Sequence, residues 1–284
     1  MRYRWIHTFM IQFPVNAMCR VLRVCRSGFY AWLKAPPDVR LSIRAATVDL
    51  MRKLHVDSGG VYGSPRVTNA LRDRGIRMCL NTVARCMKEA GIKVKPAKRY
   101  VPRTTQADPS LRASPNILNR DFSTTGVNQK WCSDITFVRT SEGWLYLATV
   151  IDLYSRKIVG WATADHMRTE LTVGALTMAL QKRDSFKGLI HHSDRGKQYA
   201  CAQYREILDV NQITQSMSGT GDCYDNAPAE SFFATLKKEL VNRCQFKTRQ
   251  EAQQDIFVYI EGFYNRTRLH SAIGYVSPEQ FEAA

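Results

Sequence analysis

Asp134 sits inside the run WCSDITFV at 131–138, between apolar neighbours. Aspartate is disfavoured in strands, and a buried carboxylate without a partner is costly. Asp194 closes the run GLIHHSD, and Glu230 opens a helical stretch after the loop SGTGDCYDNAPA. Each alone also reads as an ordinary turn or strand-end acid. Together they offer one chemistry. Clustered carboxylates repel one another unless a cation lies between them. Hard oxygen ligands select Mg²⁺ or Mn²⁺ over zinc. Two such ions activate an attacking oxygen and stabilise a leaving one in phosphodiester chemistry. Lys237 follows Glu230 by seven residues, which returns it to within about 20° of the same helix face. It either grips a DNA phosphate near the ions or stands exposed. Phe233, Leu236 and Leu240 form a separate apolar stripe that can bury against a sheet.

Positioning three carboxylates requires a particular fold. Residues 131–138, GWLYLATVID and KIVGWAT are β-branched and aromatic runs separated by short turns, which predicts an antiparallel meander. A helix over 169–183, a short strand GLIHHSD, a helix over 203–210, a strand over 213–216 and helices over 227–243 and 249–265 follow. This order predicts an α/β mixed sheet with helices on both faces. If the first and fourth strands are neighbours, Asp134 and Asp194 lie side by side and the Glu230 helix packs across that edge. Asp152 in IDLYSR either supports the site from behind or caps its turn. Asp222 and Asp225 read as Asx-turns, and the glycines at 219 and 221 are too few to cradle a phosphate.

The charge names the substrate class. Residues 1–120 hold 23 Lys and Arg against 6 Asp and Glu, while residues 121–284 hold 18 against 19. The whole excess of +16 therefore lies in the first part, and a field that one-sided favours a polyanion such as nucleic acid. Residues 15–34 and 43–92 read as two basic helical hairpins of the helix-turn-helix kind. In the second, Ser64-Pro65 reads as N-cap and first helical residue, Gly75 and Gly91 as helix stops, and Asn81 as a further cap. Arg66, Arg72, Arg85 and Lys88 on this pair are the expected DNA-phosphate contacts. Residues 93–120 carry four prolines among many bases and read as an extended linker. The expected division is a helix-turn-helix-like segment 1–40, a second basic helix-turn-helix-like domain 41–95, a Pro-rich basic linker 96–120 and a catalytic core 121–284 with a C-terminal helix.

Other classes fall away. The best apolar run, 144–153, is about half of a ~18-residue membrane span, so no membrane partner is expected. No signal peptide is read at the N-terminus. The eight cysteines form no C-x-x-C and no zinc-finger spacing, and read as free thiols of a reducing compartment. His191 and His192 are adjacent and cannot both face one metal from a strand.

The runs NQKWCSDITFV, IDLYSRKIVGW, HHSDRGKQY and DCYDNAPAESFFATLKKEL together resemble the catalytic, second-reading-frame protein of the IS-three family of bacterial insertion-sequence transposases. VYGSPRVTNALRDRGIRMCLNTVARCMKEAGI resembles that family's helix-turn-helix segment, and FYNRTRLHSAIGYVSPEQF its C-terminal stretch. Asp194 and Glu230 are separated by 35 residues, similar to the D,D(35)E signature shared with retroviral integrases, and Lys237 stands where that family often has a base. The resemblance implies an RNase H-like core (an integrase catalytic core). It implies Asp134, Asp194 and Glu230 as ligands of Mg²⁺, with Mn²⁺ able to substitute. A DNA 3′-hydroxyl would attack a phosphodiester without a covalent protein–DNA intermediate. The implied partners are the element's terminal repeats and target DNA, further copies of the chain assembled on DNA, and an upstream-frame protein as fusion partner. The implied setting is the bacterial cytoplasm and nucleoid. The zinc module of retroviral integrases has no counterpart in these spacings, so no zinc is expected. A DNA-binding regulator without catalysis and an RNase H-type nuclease using water are the competing readings.

Overall fold

The computed structural model describes residues 1–34, 39–94, 114–219 and 223–284. The basic front part is helical: α1 (Arg2–Phe9), α2 (Val15–Val21), α3 (Arg26–Lys34), α4 (Val39–Asp57), α5 (Ser64–Asp73) and α6 (Leu80–Glu89). Two small apolar cores divide it. Ile6, Met18, Cys19 and Phe29 bury together under α1–α3. Met51, Leu54, Val67, Leu71, Val83 and Met87 bury together between α4, α5 and α6. Gly75 and Gly91 end α5 and α6 at φ values of 79° and 70°, as their sequence positions predict. The caps differ. The N-cap of α5 is Gly63, with the helix already begun at Ser64, and that of α6 is Cys79 rather than Asn81.

The strands are β1 (Lys130–Thr140), β2 (Gly143–Asp152), β3 (Ile158–Ala164), β4 (Ile190–Ser193) and β5 (Thr214–Met217). They form one sheet in the order β3-β2-β1-β4-β5. β1 to β3 are the expected antiparallel meander, and β4 and β5 join parallel to β1. The helices after β3 are α7 (Thr169–Lys182), α8 (Lys197–Ala200), α9 (Ala202–Val210), α10 (Ala227–Glu239), α11 (Arg249–Phe257) and α12 (Pro278–Glu282). Alternate side chains of the sheet face two separate cores, as strand periodicity requires. On one face Trp131, Ala148, Val150 and Val159 meet Leu171 and Leu176 of α7 and Tyr204 of α9. On the other, Cys132, Val138, Leu147 and Ile151 meet Phe232, Phe233 and Leu236 of α10 and Ile256 of α11. Each fully buried apolar side chain of this kind contributes ~1.5–3 kcal/mol. Gly160 lets α7 press onto β3; a β-carbon there would collide with the Ala175 carbonyl.

Four local expectations are corrected. The helix from 227 stops at Glu239 because Leu240 leaves helical geometry (φ −123°, ψ −70°), and a 3₁₀ turn covers Val241–Arg243. Phe232 therefore carries the buried stripe with Phe233 and Leu236, while Leu240 is only partly buried. The helix from Arg249 widens into a π-helical stretch at Val258–Tyr264. The expected linker lies outside the described residues up to 113, and its remainder, 114–120, is docked on the core. Leu118 is 2% exposed, and the Ile117 and Leu118 amides donate to Ser216 Oγ. Buried Asp225 holds this segment rather than making a simple Asx-turn. It accepts from Asn116 Nδ2 (2.9 Å), Arg120 Nε (3.1 Å) and the Gly219 amide (2.8 Å). Asp222 and the 220–221 part of the glycine loop lie outside the described residues.

The α4–α6 module sits directly on the core. Tyr62 hydroxyl donates to the Thr267 carbonyl and accepts from the Leu269 amide (3.1 and 2.9 Å). Arg66 Nε donates to the Leu269 carbonyl at 2.9 Å. The centre of the junction is Glu239 at the end of α10. Its side chain, 7% exposed, takes two 2.8 Å bonds from the Arg268 guanidinium, one from the Tyr259 hydroxyl, and lies 3.5 Å from Arg66. Burial alone would raise the Glu239 carboxyl, but the bonds and charge of Arg268, with Tyr259 and Arg66, hold it below the ordinary glutamate range. A depressed carboxylate stabilises the fold above its unfolded value of about 4.3. That contribution is lost as pH falls through the folded-state value. Glu239→Gln is therefore expected to cost ~3–5 kcal/mol in urea unfolding at pH 7, because it strands two arginines. The variant should also lose part of the wild type's steepening of instability below pH 4.3. Equal stability of the two proteins at pH 7 would contradict the assignment.

Candidate active site

β4 is only four residues long, and its ladder with β1 ends at Ser133 opposite Ser193. The next residue on each strand is the aspartate, so Asp134 and Asp194 emerge side by side where the parallel pairing stops. Beyond Ser133, among the described residues, that edge of β1 is free until Thr140 meets Phe246. Asp134 Oδ1 accepts from the Ile135 amide at 2.8 Å, and Asp194 Oδ1 from the Gly196 amide at 2.9 Å. Asn226, just before α10, donates from Nδ2 to the Ser133 carbonyl at 3.1 Å. That bond pins the start of the Glu230 helix to the residue preceding Asp134.

The electrostatics show which groups share the site. Burial first, then the charges of Asp194 and Glu230, push the Asp134 carboxyl up to about 8; the Ile135 amide and Lys237 pull the other way. Burial raises the Glu230 carboxyl. Burial lowers the Lys237 ammonium, against the attraction of Asp134. The Lys237 ammonium stands over the Phe137 ring, 5.1 Å from its centre. Phe137 meets Trp144 edge-on at 4.9 Å, and both line an open groove of about 540 Å³ with Lys237 and Arg139. The structure thus brings Asp134 and Asp194 together, with Lys237 alongside. It leaves Glu230 exposed on the first turn of α10, and among the described residues no three acidic, histidine or cysteine side chains close around one point. The donor chemistry nonetheless suits a hard cation. Mg²⁺ keeps most of its waters and needs only one or two carboxylates, and a cation offsets both the burial and the neighbouring charge that raise Asp134.

A neutral scaffold under the aspartates was not read from the sequence. His191 is fully buried and bonds Ser133 Oγ (2.8 Å) and Tyr204 hydroxyl (3.1 Å) through Nε2. His192, on the opposite face of β4, bonds Ser216 and Ser218. Burial pushes the two rings down to about 3 and about 4, so both are neutral at pH 7. Strand alternation separates the pair, as expected, and the signal for their role was two histidines in a strand too short to expose either. Asp152 proves to be the cap of its turn: fully buried, it accepts from the Asn128 and Tyr154 amides, each at 2.9 Å.

Of the four expected DNA contacts on the basic module, three are exposed: Arg72 on α5, and Arg85 and Lys88 on α6. Arg66 is different. It turns inward to Leu269 and Glu239, with 24% of its side chain exposed. The sequence placed it on a basic face without revealing the buried acid opposite it. Among the described residues no helix is long and apolar enough to cross a membrane.

Comparison with known proteins agrees with this architecture. Family models described as "Integrase core domain" match residues 124–223 and 230–284, and one described as "HTH-like domain" matches 43–100. The chain is 42% identical over 284 residues to the transposase InsF for insertion sequence IS3A of Escherichia coli K12, covering 99% of this chain and 98% of that one. It is also 42% identical over 264 residues to the insertion element IS600 uncharacterized 31 kDa protein of Shigella sonnei, covering 93% and 97%. Among solved structures, an intasome of simian T-cell lymphotropic virus aligns with a TM-score of 0.47 at 13% identity, over 82% of this chain and 74% of that one. The HTLV-2 integrase catalytic core aligns with a TM-score of 0.44 at 15% identity, over 56% of this chain and 99% of that one. With a mixed five-stranded sheet, an integrase core and near-full-length identity of this level, the chain belongs to the IS3 family of insertion-sequence transposases, DDE-type enzymes of DNA transposition.

Proposed function

We propose that this transposase cuts and joins DNA at the ends of its insertion sequence, with Asp134, Asp194 and Glu230 holding Mg²⁺, or Mn²⁺ in its place. The observation that carries the reading is the pair of aspartates side by side where β4 ends, with burial and then the charge of Asp194 raising the Asp134 carboxyl. When bound, the metal supplies positive charge to the attacking and leaving oxygens. The residues do the rest. The free edge of β1 beyond Asp134 leaves room for a DNA strand. Lys237 holds a phosphate beside the carboxylates, and the Asn226 bond to Ser133 keeps Glu230 in register with them. In strand transfer a DNA 3′-hydroxyl attacks phosphorus, one P–O bond forms, and the bond to the departing 3′-oxygen breaks. That oxygen takes up a proton as the nucleophile loses one, so no oxidant or nucleotide cofactor is required. Glu230, exposed on the first turn of α10, would be the third carboxylate to hold the metal.

The partners follow from the same reading. The exposed Arg72, Arg85 and Lys88 hold backbone phosphates of the terminal repeats, and target DNA enters at the carboxylates. Copies of the chain assemble on DNA, and the upstream-frame protein serves as fusion partner in the bacterial cytoplasm and nucleoid. Functionally the chain divides into segments 1–40 and 41–95, a connecting stretch from 96, and a catalytic core from 121.

Mg²⁺-dependent cleavage and joining of DNA carrying the element ends tests this directly. Asp134→Asn and Glu230→Gln should each lower product formation by about a hundred- to a thousandfold, the equivalent of several kcal/mol, while DNA binding persists. Wild-type rates in either variant would remove it from the metal site. Lys237→Gln should weaken binding similarly across sequences and lower the slope of log affinity against log salt by about one. An unchanged slope would place Lys237 outside the DNA path.

A further inference from the structure

An open cavity of about 400 Å³ lies between the helical module and the core, separate from the carboxylates. Arg66 of α5, Arg156 of the β2–β3 turn, and Arg268 and His270 of the C-terminal stretch line it, with the hydroxyls of Ser231 and Ser271. Three guanidinium groups thus converge from three parts of the chain. Glu239 answers two of them, Arg268 through two hydrogen bonds and Arg66 at 3.5 Å. Among the described residues Arg156 makes no ion pair. It also occupies a left-handed backbone conformation, φ 63°, which a non-glycine residue adopts at a cost. Burial, then Arg268, Arg66 and Arg156, hold the His270 ring down to about 3. The ring is therefore neutral, and all three arginine charges bear on the same spot.

An excess of guanidinium over carboxylate, with hydroxyls nearby and an open mouth, is the chemistry that takes a phosphate. The cavity also abuts the first turn of α10, whose partial positive charge has the same preference. Ser231 follows Glu230, so the cavity lies about 100° around the helix from that carboxylate. Arg66 of α5 and Ala227, Pro228 and Ser231 of α10 all line the cavity, so it adjoins both the basic module and the helix that carries Glu230. We propose that the cavity binds a backbone phosphate of the DNA being processed, with Arg156 as its principal ligand and Arg66 and Arg268 adding charge. This rests on the reading that the chain acts on DNA ends.

The test is equilibrium binding of the full chain to duplex bearing the element end, across a salt series. Arg156→Gln should bind several-fold more weakly and lower the log–log salt slope by about 0.9. Arg156→Lys should recover the slope. Ser271→Glu, which places a negative charge on the exposed rim without touching Arg156, should weaken binding in the same direction. Thermal unfolding of each variant checks that the fold is retained. Wild-type slopes in both Arg156→Gln and Ser271→Glu would overturn the proposal. So would inorganic phosphate raising the wild-type melting temperature while the variants' DNA slopes stay unchanged, since the cavity would then serve a small free anion. Because binding is read without cleavage, a slope change in a chain that fails to cut DNA would support this site and sink the catalytic reading alone. A wild-type chain with no affinity for DNA would overturn both.

Discussion

Two carboxylates held side by side repel each other, and the fold has to keep them there before any cation arrives. The four-residue β4 does this. Its parallel ladder to β1 ends one residue before Asp134 and Asp194, so backbone hydrogen bonds fix the spacing while the side chains stay outside the ladder. A longer β4 would close off the edge of β1 that a DNA strand needs. A shorter one would leave Asp194 on a loop. Uncharged groups pack along β4 beneath the pair: His191 with Ser133 and Tyr204 on one face, His192 with Ser216 and Ser218 on the other. Ionised histidines would hold the aspartates more tightly, but they would also compete with a cation for them. Neutral rings bring no positive charge that would compete with a cation there.

Helix α10 connects that site to the rest of the molecule. Its first turn carries Glu230, its middle Phe232, Phe233 and Leu236 in the core, and its end Lys237 and Glu239. Asn226 ties its start to β1, and Glu239 ties its end to Arg268 and Arg66. The helix is thus gripped at both ends, by the sheet at one and by the junction with the DNA-binding module at the other. One helix of thirteen residues carries both Glu239 at the module junction and Glu230 near the aspartates. Glu230 stands exposed on the first turn of that helix, while Asp134 and Asp194 lie side by side where β4 ends.

The sheet was legible because its strands carry strong local signals: β-branched and aromatic runs with short turns, and an aspartate placed where propensity disfavours it. The order of elements left β1 beside β4 as a condition, and the sheet meets it. Less legible was everything set by long-range contact. Arg66 has the same local appearance as Arg72, yet one is drawn to a buried glutamate some 170 residues away in sequence and the other faces solvent. Residues 114–120 have a linker's composition, but Ser216 and Asp225 give their backbone and side chains partners that no local pattern announces. The caps of α5 and α6 shifted by one or two residues because no side-chain cap bond forms at either. The π-helical widening at Val258–Tyr264 likewise has no propensity signal of its own.

The split of charge along the chain imposes a last constraint. A core with nearly balanced charge and a carboxylate cluster repels DNA locally at the place where DNA must react. The positive charge therefore has to come from outside the cluster, close enough to offset it but not so close as to neutralise the aspartates in place of metal. Lys237 meets that condition from α10, held off by its seat over Phe137. The basic module meets it from further away, and only because it is docked. Tyr62 and Arg66 fix α5 against Thr267 and Leu269, so the exposed bases of α5 and α6 keep a set position relative to the carboxylates. A module on a free tether would bind DNA as tightly through its own charge, but it would not decide which phosphate reached Asp134. Glu239 holds Arg66 at that junction, so a basic side chain of α5 also serves to dock the module on the core.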